Sequence, residues 1–238
     1  MKNTMKAGAL LVAGIFALSG CGGSDESASE SSPSATPTPT PTLAVGQEQY
    51  TADELEAALT AVKASQSLTG EVENDATLRP QLEEFSLADI KTTPEQCNTL
   101  VSSVLDETIA DGNLATVGLD DSDALMLISY DDASVLEEQA DSGEQLIKDC
   151  TDFEMELDGK VITASVESLE ASTEAPSTQA YRTVINRAGN EEASIIAVSG
   201  LSGTLNLSVT LFDPVDADAA VSTAEEIINA ALSELEKK

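Results

Sequence analysis

Two alternating patterns meet at Asp158-Gly159 in the segment TDFEMELDGKVITASVESL, residues 151–169. An Asp-Gly pair between alternating residues is a strong signal for a tight hairpin, because the turn it favours follows the twist of paired strands. With the turn there, Met155 pairs with Ile162 and Phe153 with Ala164 on one face. The other face then carries Glu154, Glu156, Thr163, Ser165 and Glu167. One side is core and the other is solvent or a polar cover, as in an antiparallel sheet.

Four further segments read as strands. ALMLISY (124–130) is apolar on both alternating faces, so it belongs in a sheet interior. AYRTVIN (180–186), EASIIAVS (192–199) and TLNLSVTLF (204–212) follow, with turns at Gly189-Asn190 and from Gly200 to Gly203. Leu205, Leu207, Val209 and Leu211 alternate strictly with Asn206, Ser208 and Thr210, and Asp213-Pro214 ends the run.

Helices are announced by caps and by period. In TADELEAALTAV, Thr51 and Glu54 make a capping box and Leu55, Ala58, Leu59 and Val62 share a face. In TTPEQCNTLVSSVLDETI, Thr93 reads as the N-cap, Pro94 as the first helical residue and Gln96 as the box partner. Cys97, Leu100, Val101, Val104 and Leu105 then face inward. Leu136, Ala140, Gly143 and Ile147 form a stripe ahead of Cys150, and a last helix spans about 216–235. Its inward face carries Ala220, Ala224, Ile227, Ile228 and Leu235. Residues 64–92 lose their period around Gly70 and Pro80 and read mostly as loop. The expected fold is therefore α+β: an antiparallel sheet of about six strands, mostly a meander, with helices packed against it.

The front of the chain has a different physics. Lys2 and Lys6 precede a short apolar run, Ala7 to Ala17, too short for a bilayer that takes ~20 apolar residues. Residues 1–20 read as a signal peptide. Leu18-Ser19-Gly20-Cys21 resembles the bacterial lipobox, which makes Cys21 the lipidated N-terminal residue of the mature chain. The alternative is ordinary cleavage near Ser19-Gly20, with Cys21 a free thiol. Two acyl chains suit stable anchoring, since one chain alone holds only marginally. Residues 21–48 are Ser, Thr, Pro and Gly with little to bury, a disordered spacer whose Thr-Pro run favours polyproline II. Residues 49–238 then form the extracellular domain.

Charge narrows the partners. The chain has 11 basic and 43 acidic residues, and cleavage would remove two lysines and no acid. Such a field repels nucleic acid and anionic headgroups, which leaves the membrane as a partner only through the lipid anchor. The remaining Cys97 and Cys150 read as one disulfide in an exported domain, with two buried free thiols as the alternative.

Catalytic templates find little support. The chain has no histidine, so serine–histidine and cysteine–histidine arrangements and histidine zinc sites are excluded. No lysine follows a serine by three residues, and VSGLSGT lacks nucleophile-elbow spacing. For calcium, Asp120, Asp121 and Asp123 come closest, then Asp213, Asp216 and Asp218. Both sets lack an EF-hand loop's glycine and final glutamate and sit at element ends, where aspartate caps turns. The expectation is a non-enzyme without cofactor or metal.

One further signal is the order of elements: YTADELEAAL, then PEQC, an apolar strand, LIKDC, and a meander closed by a helix. This order and cysteine placement resemble the extracellular sensor domain of mycobacterial PknH-type serine/threonine kinases, a domain found also in actinobacterial lipoproteins. That family often has two disulfides, where this chain offers one pair. The resemblance implies a sensor-like domain binding an unidentified small molecule or envelope protein in a cleft. An apolar-lined pocket near residues 64–92 is the expectation for such a module. The alternative is an envelope protein that acts through protein contacts with no small-molecule site.

Overall fold

The structure is a computed structural model that describes residues 45–237 other than 85–90, 99, 101–111, 121, 158–159 and 188–190. The signal peptide, Cys21 and the turns expected at Asp158-Gly159 and Gly189-Asn190 lie outside the described residues. Helix α1 (Ala52–Gln66) leads to β1 (Val72–Asn74), α2 (Asp75–Glu84) and β2 (Lys91–Thr93). A 3-10 turn (Glu95–Cys97), β3 (Asn113–Gly118), β4 (Ala124–Ser129) and α3 (Ser134–Asp149) follow. The chain then runs through β5 (Asp152–Leu157), β6 (Lys160–Ser168), β7 (Ser177–Arg187), β8 (Glu191–Ser202), β9 (Leu205–Phe212) and α4 (Ala217–Leu235).

Among the described residues, nine strands form one antiparallel sheet in the order β1-β3-β4-β9-β8-β7-β6-β5-β2. The α+β meander is as expected, and its β5–β6 hairpin has the expected register: Phe153 faces Ala164 and Met155 faces Ile162. The count is higher than six because β1, β2 and β3 were not visible. β1 and β2 have three residues each, too few for a period to show. β3 is NLATVG, buried at four consecutive positions, and a short run covered on both faces has no alternation to read.

Residues 64–92 are also not a loop. Leu78 is buried from α2 although Pro80 sits inside that helix, and Arg79 holds the helix by bonding Asp75 and the Gly112 carbonyl. Thr93 is not a helix N-cap. It ends β2 opposite Glu154, Pro94 follows through a cis peptide bond, and only a turn of 3-10 geometry leads to Cys97. A β-branched residue extends the edge strand here in preference to capping. Most of the helix expected after it lies outside the described residues.

The two faces of the sheet bury different partners. On one, Leu125, Leu127, Leu205, Leu207, Val209, Ile196 and Val198 pack under α1 and α4, which contribute Leu55, Leu59, Val62, Ala224, Ile228 and Leu232. We call this the α1/α4 face. On the other, α2 and α3 cover Leu114, Ile128 and Leu201 with Leu78 and Leu136, and a third cluster gathers Phe153, Met155, Ala164 and Val166 around the two cysteines. β4 faces cores on both sides, as its double apolar pattern requires.

The β8–β9 turn is tighter than the glycine pattern suggested. β8 continues through Gly200 to Ser202, and the chain reverses at Gly203-Thr204. Gly203 has φ +55°, and a Cβ there would lie 2.0 Å from the Gly46 carbonyl oxygen, so glycine is required for both shape and room. That contact is part of a latch. Thr204 N donates to Gly46 O (2.9 Å), Ser202 Oγ to Val45 O (2.7 Å) and Thr204 Oγ1 to Glu48 O (3.0 Å). Val45, 1% exposed, belongs to the main core, so packing begins before Gln49.

Candidate functional site

A concavity forms at the β2 edge of the sheet, and simple alternation builds it. Phe153 and Met155 of β5 turn into the disulfide cluster, so Asp152, Glu154 and Glu156 must turn the other way. Their partners on β6 are Ser165, Thr163 and Val161; on β2, Thr93 pairs with Glu154 and Lys91 with Glu156. Followed through β6, β7 and β8, this register places these residues on the α1/α4 face, beyond the area the two helices cover.

The rim is fixed covalently. Cys97, at the end of the 3-10 turn, is bonded to Cys150, the residue capping α3, with Cα atoms 5.6 Å apart and both cysteines fully buried. The expected disulfide is thus present, and it ties the exit of β2 to the exit of α3. Thr92, buried on the same side, donates to the carbonyls of Pro94 and Glu95 at 3.1 and 3.2 Å and shapes the turn. The result is a concavity of about 480 Å3 lined by residues 91–93, Glu95, Asn98, 154–156 and Val161.

This site differs from the expected pocket in place and in lining. Lys91 and Thr92 fall in the 64–92 window, but β5, β6 and the 3-10 turn provide the rest. Among the described lining residues, only Met155 and Val161 are apolar. What it offers is ionic and hydrogen-bonding recognition: carboxylates on three positions, one ammonium, two hydroxyls and a carboxamide. None of the described lining residues pairs a nucleophile with a base in the way covalent catalysis needs.

Four of the aspartates considered for calcium, Asp120, Asp123, Asp213 and Asp216, accept from backbone donors. Asp120 Oδ1 accepts from Ser122 N and Asp123 N, both at 3.1 Å, which holds its carboxyl below the usual range. Asp123 accepts from Phe212 N at 2.8 Å, yet partial burial pushes its carboxyl up. Asp213 Oδ1 takes Ser194 N and Asp216 caps α4 through Ala219 N. Asp121 is outside the described residues. Among those described, no three histidine, cysteine, aspartate or glutamate side chains converge as a metal-binding group, and no helix is long and apolar enough to cross a membrane.

The chain is similar in fold to the extracellular domain of PknH from Mycobacterium tuberculosis. The likeness has a TM-score of 0.53 at 10% identity and covers 81% of this chain and 100% of that one. This is the domain type that the element order and cysteine placement resemble. An Rv0999 ortholog from Mycobacterium smegmatis gives a TM-score of 0.47 at 14% identity, over 76% of this chain and 96% of that one. No protein-family model matches the sequence, and no curated protein does. At these identities the likeness is one of fold.

Proposed function

We propose that this protein is a lipid-anchored, extracytoplasmic binding module with a sensor-like domain and no catalytic activity of its own. The observation that carries the reading is the polar concavity at the β2–β5 edge, whose rim a buried disulfide fixes. Its position suits a tethered receptor. The chain enters the fold at the Ser202–Thr204 end of β8. Thr163, two residues from Val161, pairs through Asn186 with Glu192 near the other end. The twelve residues of β8 separate the two ends by roughly 40 Å at ~3.4 Å per residue. The site therefore lies toward the opposite end of the strands from where the described chain enters the sheet. The PknH domain is extracellular by its description, and a similar fold on a lipidated stalk at Cys21 would occupy the same side of the membrane.

Native mass spectrometry of the protein purified from its own host tests the binding reading. A retained small molecule that is lost in a Thr93→Val/Asn98→Leu variant is the expected result. Absence of any retained species, with no thermal shift across a panel of polar metabolites, overturns it. Intact mass of the membrane-extracted chain should show a diacylglyceryl addition at Cys21; an unmodified, secreted product overturns the anchor.

A further inference from the structure

On the α1/α4 face the sheet is covered over β3, β4, β9 and β8, but among the described residues nothing lies over β6, β5 and β2. Water-facing antiparallel sheets are ordinary; what distinguishes this one is how its side chains are laid out. Asp152, Glu154 and Glu156 form a straight row, all exposed. Ser165, Thr163 and Val161 form a neutral row beside it, and Val161 is 61% exposed, among the most exposed large apolar side chains of the molecule. Some acids of this protein cap helices or hold loops, as Asp123, Asp216 and Glu225 do, and others are simply exposed, as Glu138 and Asp141 are. Among the described residues, the three carboxylates of this row have no hydrogen-bond or ion-pair partner, and Lys91 faces Glu156 across the strands without closing an ion pair.

We propose that this uncovered sheet face docks an extended, lysine- or arginine-rich segment of a partner protein. Same-side residues on a strand recur every ~6.8 Å, so an extended chain with a cation at every second position presents charges at the spacing of the β5 row. A peptide lying along β5 would set its cations on the carboxylates and its flank on Val161 and Thr163. A second copy of this chain is disfavoured because it would oppose like charges, and a nucleic acid or an anionic membrane surface is repelled in the same way. β5 and its neighbours frame only about 300–400 Å2, under half the ~800 Å2 per partner of a standard interface. The contact is therefore transient and salt-sensitive. The proposal rests on the reading of this edge as a binding site, since Glu154 and Glu156 also line the concavity.

The test is fluorescence anisotropy of the full chain with a labelled nonapeptide alternating lysine and threonine. The Glu154→Lys/Glu156→Lys double variant should raise Kd at least tenfold. A Glu138→Lys/Asp141→Lys variant, with the same charge change at exposed positions of α3, should change it less than twofold. Carbodiimide cross-links should fall on Asp152, Glu154 and Glu156. Equal weakening in both variants, cross-links scattered over the surface, or no binding below millimolar concentration at 150 mM salt overturns the proposal. Native mass spectrometry of the same samples separates the two readings. A retained small molecule without peptide binding overturns only the docking surface; peptide binding confined to the β5 row without one overturns only the concavity.

Discussion

Tyr130 shows how far one side chain's setting departs from its chemistry. It follows β4, is nearly fully buried beside Leu114, Leu136 and Leu201, and burial alone pushes its phenol up to about 12. A free tyrosine ionises near 10, so folded and unfolded states bind protons equally below that pH. Between roughly 10 and 12 the unfolded state loses its proton first, and the stabilisation drains away as pH rises through the folded value. Denaturant titrations over pH 9 to 12 should show stability falling in that window. Tyr130→Phe should flatten the fall by about 2–3 kcal/mol at the alkaline end and leave stability at pH 7 within about 1 kcal/mol of the parent. Tyr50 and Tyr181, also raised, account for residual slope. At this scale the sequence was only partly legible. It marked Asp120, Asp123, Asp213 and Asp216 as turn and cap formers correctly, because aspartate satisfies nearby backbone donors wherever it sits at an element end. It could not show that Asp152, Glu154 and Glu156 lie on a stretch of sheet that no described helix covers, since that depends on which strands lie beside them.

At the scale of elements, strong local signals held and weak ones were overridden. The Thr51–Glu54 capping box is formed in both directions, and the four residues on its inward face are all buried. α3 follows its stripe, and Gly143 proves to be where the Gln179 side chain approaches closely enough to donate to the carbonyls of Gln139 and Ala140. Thr93-Pro94 gave an equally clear helix signal that failed, because pairing with β5 fixed Thr93 in the edge strand. The latch at the β8–β9 turn was legible only as a glycine. Gly203→Ala should strain the left-handed backbone and force the Gly46 carbonyl away. We expect a loss of about 2 kcal/mol or more, from ~1–2 kcal/mol of backbone strain and the latch bonds weakened with it. Hydrogen exchange should quicken at Thr204 N, which donates to Gly46, while Leu207 and Val209 keep their protection. Unchanged exchange at Thr204 would mean that the N-terminal segment is not held there.

For the whole molecule, the disulfide matters more for what it connects than for its local packing. It joins positions 53 apart in sequence, and between them lie α2's neighbour β3, the interior strand β4 and helix α3. Closing a loop of that size restricts the unfolded chain by about 4 kcal/mol in the entropy model. Cys97→Ala/Cys150→Ala should therefore lower unfolding free energy by about that amount in urea titration, with the main core under α1 and α4 intact. A change below 1 kcal/mol would show that the bridge constrains little. Thiol labelling without reductant should leave both residues unmodified.

The sequence by itself determined the α+β class, the meander, the register of the β5–β6 hairpin, the inward faces of α1, α3 and α4, and the pairing of the two domain cysteines. Each rests on local rules that act within a few residues: alternation, caps, turn chemistry, cysteine number. Tertiary structure alone decided the rest. Short strands β1, β2 and β3 exist because longer neighbours offer them hydrogen bonds. The concavity exists because the disulfide, the 3-10 turn and β5 meet at one edge, and the acidic row is exposed because the helices on its face stop at β8. Neither follows from any single segment, since each depends on contacts between residues far apart in the chain.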